Sequence, residues 1–281
     1  MDGVTEDDGV AGHVATQVGE WALRADGPPR RGSRSVILPV TTSDGVPAAL
    51  KVAIPGVAPV EDHLVLRRWA GAGAVRLLRA DPRRGALLLE RALPRDLVDL
   101  WDVEACEVVA ALYPRLHVPA MPQLTDLADL VTGWVDDLAA LPRSAPIPHR
   151  LVEQAVGVGR DFATDAATSA TVLHGDLHYR NVLAAEREPW LVIDPKPLNG
   201  DPHYEIVPML WTRWDDLAGD TRDGIRRRFF ALVDAAGLSD ERARDWVVLR
   251  MVCDAMVALR AAEVDRSWLT TCIAVAKAVQ G

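Results

Sequence analysis

The sequence predicts an α+β protein with a small strand-rich N-terminal lobe and a larger helical C-terminal lobe. Over the first 90 of its 281 residues, short apolar runs alternate with turn residues, a pattern typical of antiparallel strands. Beyond residue 94, apolar side chains recur at helical spacing, as in the stripe from Leu127 to Leu138. We therefore expect a strand-rich lobe over 1–90 and a helical lobe over 94–281.

The N-terminal lobe is predicted to contain two hairpins and two helices. Residues 1–10 are expected to be unstructured, and a short helix is expected over 11–23. A second helix should begin after Pro59, because apolar residues recur from there to Trp69. Apolar runs bounded by Gly, Asp and Pro indicate strands, which we place at 36–40, 48–54, 75–78 and 86–89.

The C-terminal lobe is predicted to be helical apart from one segment with short strands at 171–193. Pro114 marks a stop or a kink near the end of its first helix, because a proline removes a backbone donor and clashes with the preceding turn. The helices are expected over 97–116, 125–140, 149–168, 206–218, 221–236 and, with breaks, 240–278.

The charge balance restricts the class of partner. The chain has 40 acidic against 31 basic residues and a formal net charge of -9. This excess of acid disfavours nucleic acid and anionic membranes, and it suits a cationic small molecule. We therefore expect a small-molecule partner, with neither nucleic acid nor membrane involved.

The cysteines and the N-terminus indicate a cytoplasmic protein. The three cysteines, Cys106, Cys253 and Cys272, are far apart in sequence, which fits reduced thiols and neither a disulfide framework nor a zinc site. The acidic N-terminus has no apolar segment of a secretory signal. No apolar run reaches the 18 residues that a membrane-spanning helix needs.

The segment 171–194 contains the most specific pattern of polar residues. A short apolar run predicts a strand, after which come His174, Asp176 and, five positions later, Asn181. Two further apolar runs predict a hairpin that ends on Asp194. Because the Asp and the Asn belong to one loop and the hairpin returns the chain to it, we expect these side chains to meet.

This set of residues suits phosphoryl transfer. The side-chain oxygens of Asn181 and Asp194 are ligands that Mg²⁺ prefers, which leaves Asp176 to accept a proton. The same spacing, an Asp followed by an Asn and then by a metal-binding Asp, occurs in the catalytic loop of kinases. His174 is expected to support the loop and to take no part in the chemistry.

The segment resembles the catalytic loop of the aminoglycoside phosphotransferases. The residues that follow, IDPKP at 193–197 and GDPHYE at 200–205, resemble more narrowly the branch of streptomycin 6-kinase and hydroxyurea phosphotransferase, as does GALLLER at 85–91. Protein kinases place Phe-Gly after the metal-binding Asp, whereas this chain has Pro195 and Lys196. That difference argues against a protein substrate.

The resemblance implies a two-lobed protein-kinase-like fold and an ATP- and Mg²⁺-dependent kinase. The γ-phosphoryl group would pass to a hydroxyl of a small molecule, either a streptomycin-like aminoglycoside or hydroxyurea, and would give antibiotic resistance. Asp176 would be the catalytic residue, and Asn181 and Asp194 would bind Mg²⁺. A kinase of an unrelated metabolite is the alternative within the same class.

The resemblance also places Lys51 on the strand that contacts the nucleotide phosphates. The alternative, a solvent-facing strand lysine, is less favoured because the chain has only three lysines. The acidic partner of this lysine is Asp62 or Glu61, and the register counted back from Trp69 favours Asp62. Both acids also suit a helix N-terminus on electrostatic grounds alone.

Backbone groups complete the implied nucleotide site. Gly32 and Ser33 lie where the phosphate-covering loop is expected, although the chain has no G-x-G-x-x-G there. The resemblance also implies a hinge between the lobes at 91–93, where backbone groups of Glu90 and Ala92 would meet the adenine edge.

A cationic acceptor requires acidic side chains in the helical lobe. The candidates are Asp201, Glu205, Asp215, Asp216 and Asp254. Asp254 lies within an almost wholly apolar helix, where it is either a paired core acid or a substrate ligand.

Two other classes compete with the kinase. A metal-dependent hydrolase would use His174, Asp176, His178 and Asp194 as ligands of a transition metal, which leaves Lys51 unexplained. A non-catalytic binding protein on the same fold would not need Asp176, Asn181 and Asp194 together.

Overall fold

A computed structural model describes residues 3–56 and 61–280, with side chains from residue 9 onward. The chain divides into two compact units. The first contains the described residues up to Arg95 together with Leu183–Ile193, and the second contains Asp96–Val182 and the described residues from Asp194 onward. The first unit therefore includes a hairpin that follows the catalytic-loop segment along the chain.

The first unit is built on an antiparallel sheet. Its strands lie in the order β1-β3-β4-β6-β5, and β2 also pairs with β3. Their bounds are β1 Arg24–Ala25, β2 Arg30–Arg31, β3 Ser35–Thr41, β4 Pro47–Ala53, β5 Leu77–Asp81 and β6 Ala86–Glu90. Helix α2, Asp62–Trp69, lies between β4 and β5 along the chain.

Alternation along β4 gives the sheet two different faces. Ala48, Leu50 and Val52 are buried and belong to a core cluster that includes Trp21, while the residues between them are only partly buried. Helix α1, Gly3–Glu20, packs Val14 against this cluster. Because successive side chains of a strand point to opposite faces, Lys51 lies on the face that α1 does not cover.

The second unit is mainly helical. Its only long-range strand pair within the described residues joins β7, Thr171–Leu173, to β10, Leu198–Gly200, in antiparallel register. Strands β8, Val182–Ala184, and β9, Trp190–Val192, form a separate hairpin, which belongs to the first unit apart from Val182. The helices are α3 Asp102–Leu116, α4 Leu127–Ala139, α5 His149–Thr164, α6 Val207–Trp211, α7 Thr221–Ala236, α8 Asp240–Arg260 and α9 Arg266–Ala278.

The sequence predicted most elements, with four main errors in their bounds, and it did not predict strands β1, β2 and β10. Residues 3–10 are helical and not unstructured; residues 1 and 2 lie outside the described ranges. Strand β5 begins at Leu77, because Val75 instead donates its backbone N–H to Val192 at 3.1 Å. The helices predicted at 97–116 and 149–168 have 3₁₀ turns at one end, so α3 begins at Asp102 and α5 ends at Thr164.

The fourth error concerns the helix predicted at 206–218. It ends at Trp211, because Thr212 is extended with ψ of 148°, and Arg213 then adopts a left-handed conformation with φ of 59°. The Arg213 guanidinium donates to the Leu100 carbonyl at 2.9 Å and lies 3.3 Å from Asp102. The predicted helix is therefore interrupted where the Arg213 side chain makes tertiary contacts, and no Gly or Pro marks the interruption in the sequence.

None of the helices in the described ranges combines the length and the hydropathy needed to cross a membrane. The three cysteines are buried as free thiols, and burial raises the pKa of the Cys106 thiol to about 12.

Candidate active site

The first unit pairs Lys51 with Asp62. Lys51 Nζ lies 2.6 Å from Asp62 Oδ2, and the two side chains are 13% and 9% exposed. Lys51 comes from the middle of β4, opposite Ile37 and Leu87, while Asp62 is the first residue of α2. The helix therefore begins one residue after Glu61, with Asp62 at the position that reaches the strand.

The predicted hinge is fixed by arginine side chains. Glu90 accepts hydrogen bonds from Arg187 Nε at 2.8 Å and from the Arg76 backbone at 3.0 Å. Burial would raise the pKa of Glu90, but the Arg187 and Arg76 contacts lower it overall. Arg91 donates to the Ala48 carbonyl at 3.0 Å. The polar end of GALLLER thus stabilises the end of the sheet through side chains, apart from any backbone contact to adenine.

The loop predicted to cover the phosphates is a tight turn between β2 and β3. Gly32 donates its backbone N–H to the Ser35 carbonyl at 2.8 Å. Since that N–H closes the turn, Gly32 does not offer it to a phosphate in this conformation. The Ser33 residue at the tip of the turn is exposed, and its contact with a phosphate stays a prediction.

In the second unit, a buried carboxylate organises the loop after β7. Glu205 Oε2 accepts the His174 N–H at 2.7 Å, and Glu205 Oε1 accepts the Gly175 N–H at 2.9 Å. Glu205 and His174 are both completely buried. Burial by itself would raise the pKa of Glu205, but the imidazoles of His117 and His174 and the backbone N–H bonds lower it below its ordinary value.

The turn after His174 requires glycine. Gly175 has φ of +81°, in the left-handed region, and a Cβ at this position would lie 2.1 Å from the Lys196 carbonyl oxygen. His174 Nδ1 faces the Asp176 N–H at 3.3 Å. His174 therefore supports the loop, as its sequence position predicted.

Asn181 is tied to the backbone of Asp176. Asn181 Nδ2 lies 2.8 Å from the Asp176 carbonyl oxygen and 3.3 Å from His178 Nε2. Because its amide nitrogen is engaged in this way, the Asn181 Oδ1 atom is the end of the side chain left for a ligand. The Asp176 carboxylate remains 17% exposed.

Asp194 follows the β9 strand at a strained position. Its φ of 54° lies in the left-handed region, which Asp tolerates better than most residues. Residues in such strained conformations cluster at functional sites. Asp194 is exposed, and its charge affects His178. An exposed carboxylate and an amide oxygen on two segments of one loop region are a donor set that suits Mg²⁺.

His178 is kept neutral beside these carboxylates. Burial is the largest cause of its lowered pKa, and the charges of His174 and Lys196 add to the effect against the opposing carboxylates. Its Nε2 lies 3.9 Å from Asp176 Oδ2. The His178 ring also lies 6.5 Å from Trp211, which packs edge-to-face on Trp268 at 4.9 Å, so an aromatic surface adjoins the loop.

A network behind the loop was not predicted from the sequence. Tyr179 donates to Asp102 at 3.1 Å, and the fully buried Arg228 donates to the same carboxylate at 2.8 Å. Arg228 and Arg213 both lie over the Tyr179 ring, at 5.4 and 5.1 Å from its centroid. Only the spatial contact identifies this support, because Asp102 is 77 residues from Tyr179 and 126 residues from Arg228 in sequence.

The predicted acceptor-binding acids occupy different environments. Asp201 and Glu205 are buried, and Asp201 accepts from Trp246 Nε1 at 2.9 Å and from the His203 backbone at 2.9 Å. These two carboxylates are fully engaged inside the protein and are not presented to an acceptor. Asp215 and Asp216 are exposed, and Asp216 pairs with Arg213 at 2.6 Å.

Asp254 is the half-buried member of the set. It lies one helical turn after Arg250, whose guanidinium donates to the Gly175 and Tyr204 carbonyls, both at 3.1 Å. Residues four apart share one helix face, so Asp254 extends the face of α8 that contacts the loop. Burial raises the pKa of Asp254, with Arg250 opposing that effect. In the described part of the chain its carboxylate has no hydrogen-bond partner.

The rival metal-dependent hydrolase lacks a site in the described ranges. Within them, no group of three or more His, Cys, Asp and Glu side chains is arranged to hold a metal ion. His174 is engaged with the loop backbone, and His178 contacts Asn181. The ligand set proposed for that hydrolase is therefore not assembled.

We expect Glu205→Gln to disrupt the catalytic loop. A glutamine places an N–H₂ group against one of two buried backbone N–H groups, and a buried unsatisfied donor costs about 1–3 kcal/mol. The thermal unfolding midpoint and kcat should both fall, whereas Glu153→Gln, at an exposed site on α5, should change neither.

The stabilisation by Glu205 should also depend on pH. Because the pKa of Glu205 is lowered in the folded state, this stabilisation is present above the ordinary glutamate pKa and is lost as pH falls through the folded-state value. An unchanged acid unfolding midpoint in the variant would contradict this role.

Comparison with known proteins places the chain in a family. The profile of the aminoglycoside/hydroxyurea antibiotic resistance kinases matches residues 20–264. A streptomycin 6-kinase from Streptomyces griseus is 40% identical over 252 residues, which cover 87% of this chain and 81% of that protein. A hydroxyurea phosphotransferase from Kitasatospora aureofaciens is 40% identical over 258 residues, covering 87% of this chain and 72% of that protein.

Solved structures agree on the fold. An aminoglycoside phosphotransferase in ternary complex with ADP and hygromycin B has a TM-score of 0.64 at 18% identity, covering 95% of this chain and 98% of that chain. At this identity the likeness concerns the fold alone, and it confirms the predicted kinase-like α+β architecture. With the family profile and the two 40% identical relatives, it shows that the chain belongs to the aminoglycoside/hydroxyurea antibiotic resistance kinase family.

Proposed function

We propose that this kinase transfers the γ-phosphoryl group of ATP to a hydroxyl of a small antibiotic-like molecule, with Asp176 as the catalytic residue. The observation that carries the proposal is the loop geometry around Asp176. Its backbone is bound by Asn181 at 2.8 Å, and its carboxylate stays accessible. The carboxylate is thereby oriented to accept the hydroxyl proton of an acceptor.

The chain's own residues divide the work of the reaction. Lys51, fixed by Asp62 at 2.6 Å, would bind nucleotide phosphates. The Asn181 amide oxygen and the Asp194 carboxylate would bind Mg²⁺, which neutralises phosphate charge when bound. Glu205 would keep the loop in position. Phosphoryl transfer asks mainly for positioning and charge, which these contacts supply.

Streptomycin and hydroxyurea are the acceptors to be tried first. They are the compounds in the names of two relatives that are each 40% identical to this chain. The net charge of -9 favours the cationic aminoglycoside. Asp254 and Asp215 are the predicted acids that remain available to such a cation, and Asp254 lies on the helix face nearest the loop.

The first test is a product assay. The protein is incubated with ATP, Mg²⁺ and, separately, streptomycin, other aminoglycosides and hydroxyurea, and the mixtures are analysed by mass spectrometry. We expect a product heavier by one phosphoryl group with at least one acceptor. If ATP is hydrolysed and no acceptor gains phosphate, the antibiotic acceptor is wrong and another metabolite must be sought.

A second test separates the base from the metal ligands. Asp176→Asn keeps the shape but loses the basicity, so kcat should fall by about 10²–10⁴-fold with little change in ATP affinity. Asp194→Asn and Asn181→Ala should instead raise the Mg²⁺ concentration needed for half-maximal rate. Steady-state kinetics with a magnesium titration distinguishes them.

The matched control for this series is Asp234→Asn, which removes a charge from an exposed site on α7 and should leave the kinetics unchanged. A near-normal kcat in Asp176→Asn would remove Asp176 from the catalytic role. Loss of Mg²⁺ binding in that variant would instead assign Asp176 as a ligand.

A third test concerns Asp254. Asp254→Asn should raise KM for streptomycin by about 10-fold, the effect of one charge-assisted contact of ~1.4 kcal/mol, without changing kcat or KM for ATP. The KM for hydroxyurea, an uncharged acceptor, should not change. Asp234→Asn again serves as the control for net charge. Equal effects on the cationic and the neutral acceptor would show that Asp254 acts through the fold and not through the acceptor's charge.

A further inference from the structure

Lys196 contacts the carboxylate of Asp176 directly. Its Nζ donates a hydrogen bond to Asp176 Oδ2. Its backbone N–H donates to the His174 carbonyl at 2.8 Å, so both ends of this residue are bound to the catalytic loop. The flanking Pro195 and Pro197 are buried, whereas the Lys196 side chain is 46% exposed.

This contact differs from an ordinary surface ion pair. An exposed lysine usually loses side-chain conformational entropy when it is held against a partner, and such ion pairs contribute little to stability. Here two buried prolines fix the backbone on either side, and the Lys196 carbonyl packs against Gly175. The backbone thus directs the side chain to Asp176 before any substrate binds.

The ammonium group also retains binding capacity. A lysine ammonium has three N–H donors. Within residues 3–56 and 61–280, the hydrogen bond to Asp176 is the one that Lys196 Nζ makes. Two donors and the exposed side of the group are therefore available next to the proposed base.

We propose that Lys196 is a second catalytic residue, which binds the non-bridging oxygens of the phosphoryl group as it reaches the acceptor beside Asp176. This inference rests on the proposed function. In the step concerned, the acceptor oxygen forms a bond to the γ-phosphorus. The bond from that phosphorus to the β–γ bridging oxygen breaks, and its electron pair leaves with ADP. The acceptor proton passes to the Asp176 carboxylate.

The expected effect lies in kcat. The transferred group passes through a loose transition state whose charge is spread over its three equatorial oxygens. Lys196 would contact those oxygens only in the transition state. An interaction made only in the transition state raises kcat and leaves KM unchanged. Its position on Asp176 Oδ2 also leaves the other carboxylate oxygen for the acceptor hydroxyl.

The test compares Lys196→Met, Lys196→Gln and Lys196→Arg, with whichever acceptor the wild-type enzyme phosphorylates. Lys196→Met and Lys196→Gln should lower kcat by about 10²–10³-fold, with the KM for ATP and for the acceptor little changed. Lys196→Arg keeps the charge and should recover part of the rate, although its planar fork differs from an ammonium. Lys277→Met, at an exposed site on α9, is the matched control and should be unaffected.

A double variant separates a phosphoryl contact from mere orientation of Asp176. If Lys196 acts on the phosphoryl group, Asp176→Asn/Lys196→Met should still be clearly slower than Asp176→Asn, by a factor that differs from that of Lys196→Met alone because the two side chains are in contact. If Lys196 only orients the base, the second change should cost nothing more, and the proposal is overturned. A loss of rate that appears together with a lower thermal unfolding midpoint and weaker ATP binding would likewise assign Lys196 a structural role.

The outcomes distinguish this inference from the proposed function. A wild-type enzyme that phosphorylates no acceptor but hydrolyses ATP still transfers phosphoryl groups, to water, and the Lys196 series is then measured on that reaction. A wild-type enzyme without either activity overturns the proposed function and the inference together. A working enzyme in which Lys196→Met has near-normal kcat overturns the inference alone.

Discussion

The geometry of the catalytic loop depends on the buried carboxylate of Glu205. Strand β7 ends its pairing with β10 at Leu173, so the next two backbone N–H groups have no strand partner. Glu205 accepts both of them, which satisfies donors that would otherwise be costly to bury. Glu205 lies on a 3₁₀ turn capped by Asp201, and Asp201 is bound by Trp246. The position of Asp176 therefore rests on a series of buried polar contacts that contain no catalytic group.

Lysine and arginine have separate uses in this acidic protein. Only three of its residues are lysines, and two of them, Lys51 and Lys196, each contact a carboxylate where phosphate chemistry is proposed. Arginines instead stabilise structure: Arg228 is buried against Asp102, and Arg187 binds Glu90. The division follows from their chemistry, because a guanidinium matches carboxylates and carbonyls in a fixed fork, whereas an ammonium is a compact charge that can bind different oxygens.

Sequence patterns predicted those features that depend on residues close together in the chain. Periodicity gave helix α7 with both ends correct, Thr221–Ala236, and loop spacing placed Asp176 near Asn181. The contact of Glu205 with the loop could not be predicted, because its partners are backbone N–H groups about 30 residues away and a backbone group leaves no trace in the sequence. The helix break at Arg213 was not predicted for a similar reason. A distant contact accompanies it, and no local residue type indicates it. The choice of Asp62 over Glu61 had to await the first residue of α2.

The groups that position the loop differ from the groups beside it that an acceptor could contact, and this difference bears on acceptor choice within the family. Relatives named for streptomycin and for hydroxyurea are each 40% identical to this chain, so overall similarity does not decide between a cationic and a neutral acceptor. In the second unit, the loop is set by buried groups, whereas Asp254 and Trp268 lie partly exposed on α8 and α9. A substitution on these helices changes the charge or shape next to the loop and leaves the buried contacts of Glu205 intact. Acceptor preference can therefore diverge through a few partly exposed side chains while the chemistry proposed at Asp176 stays the same.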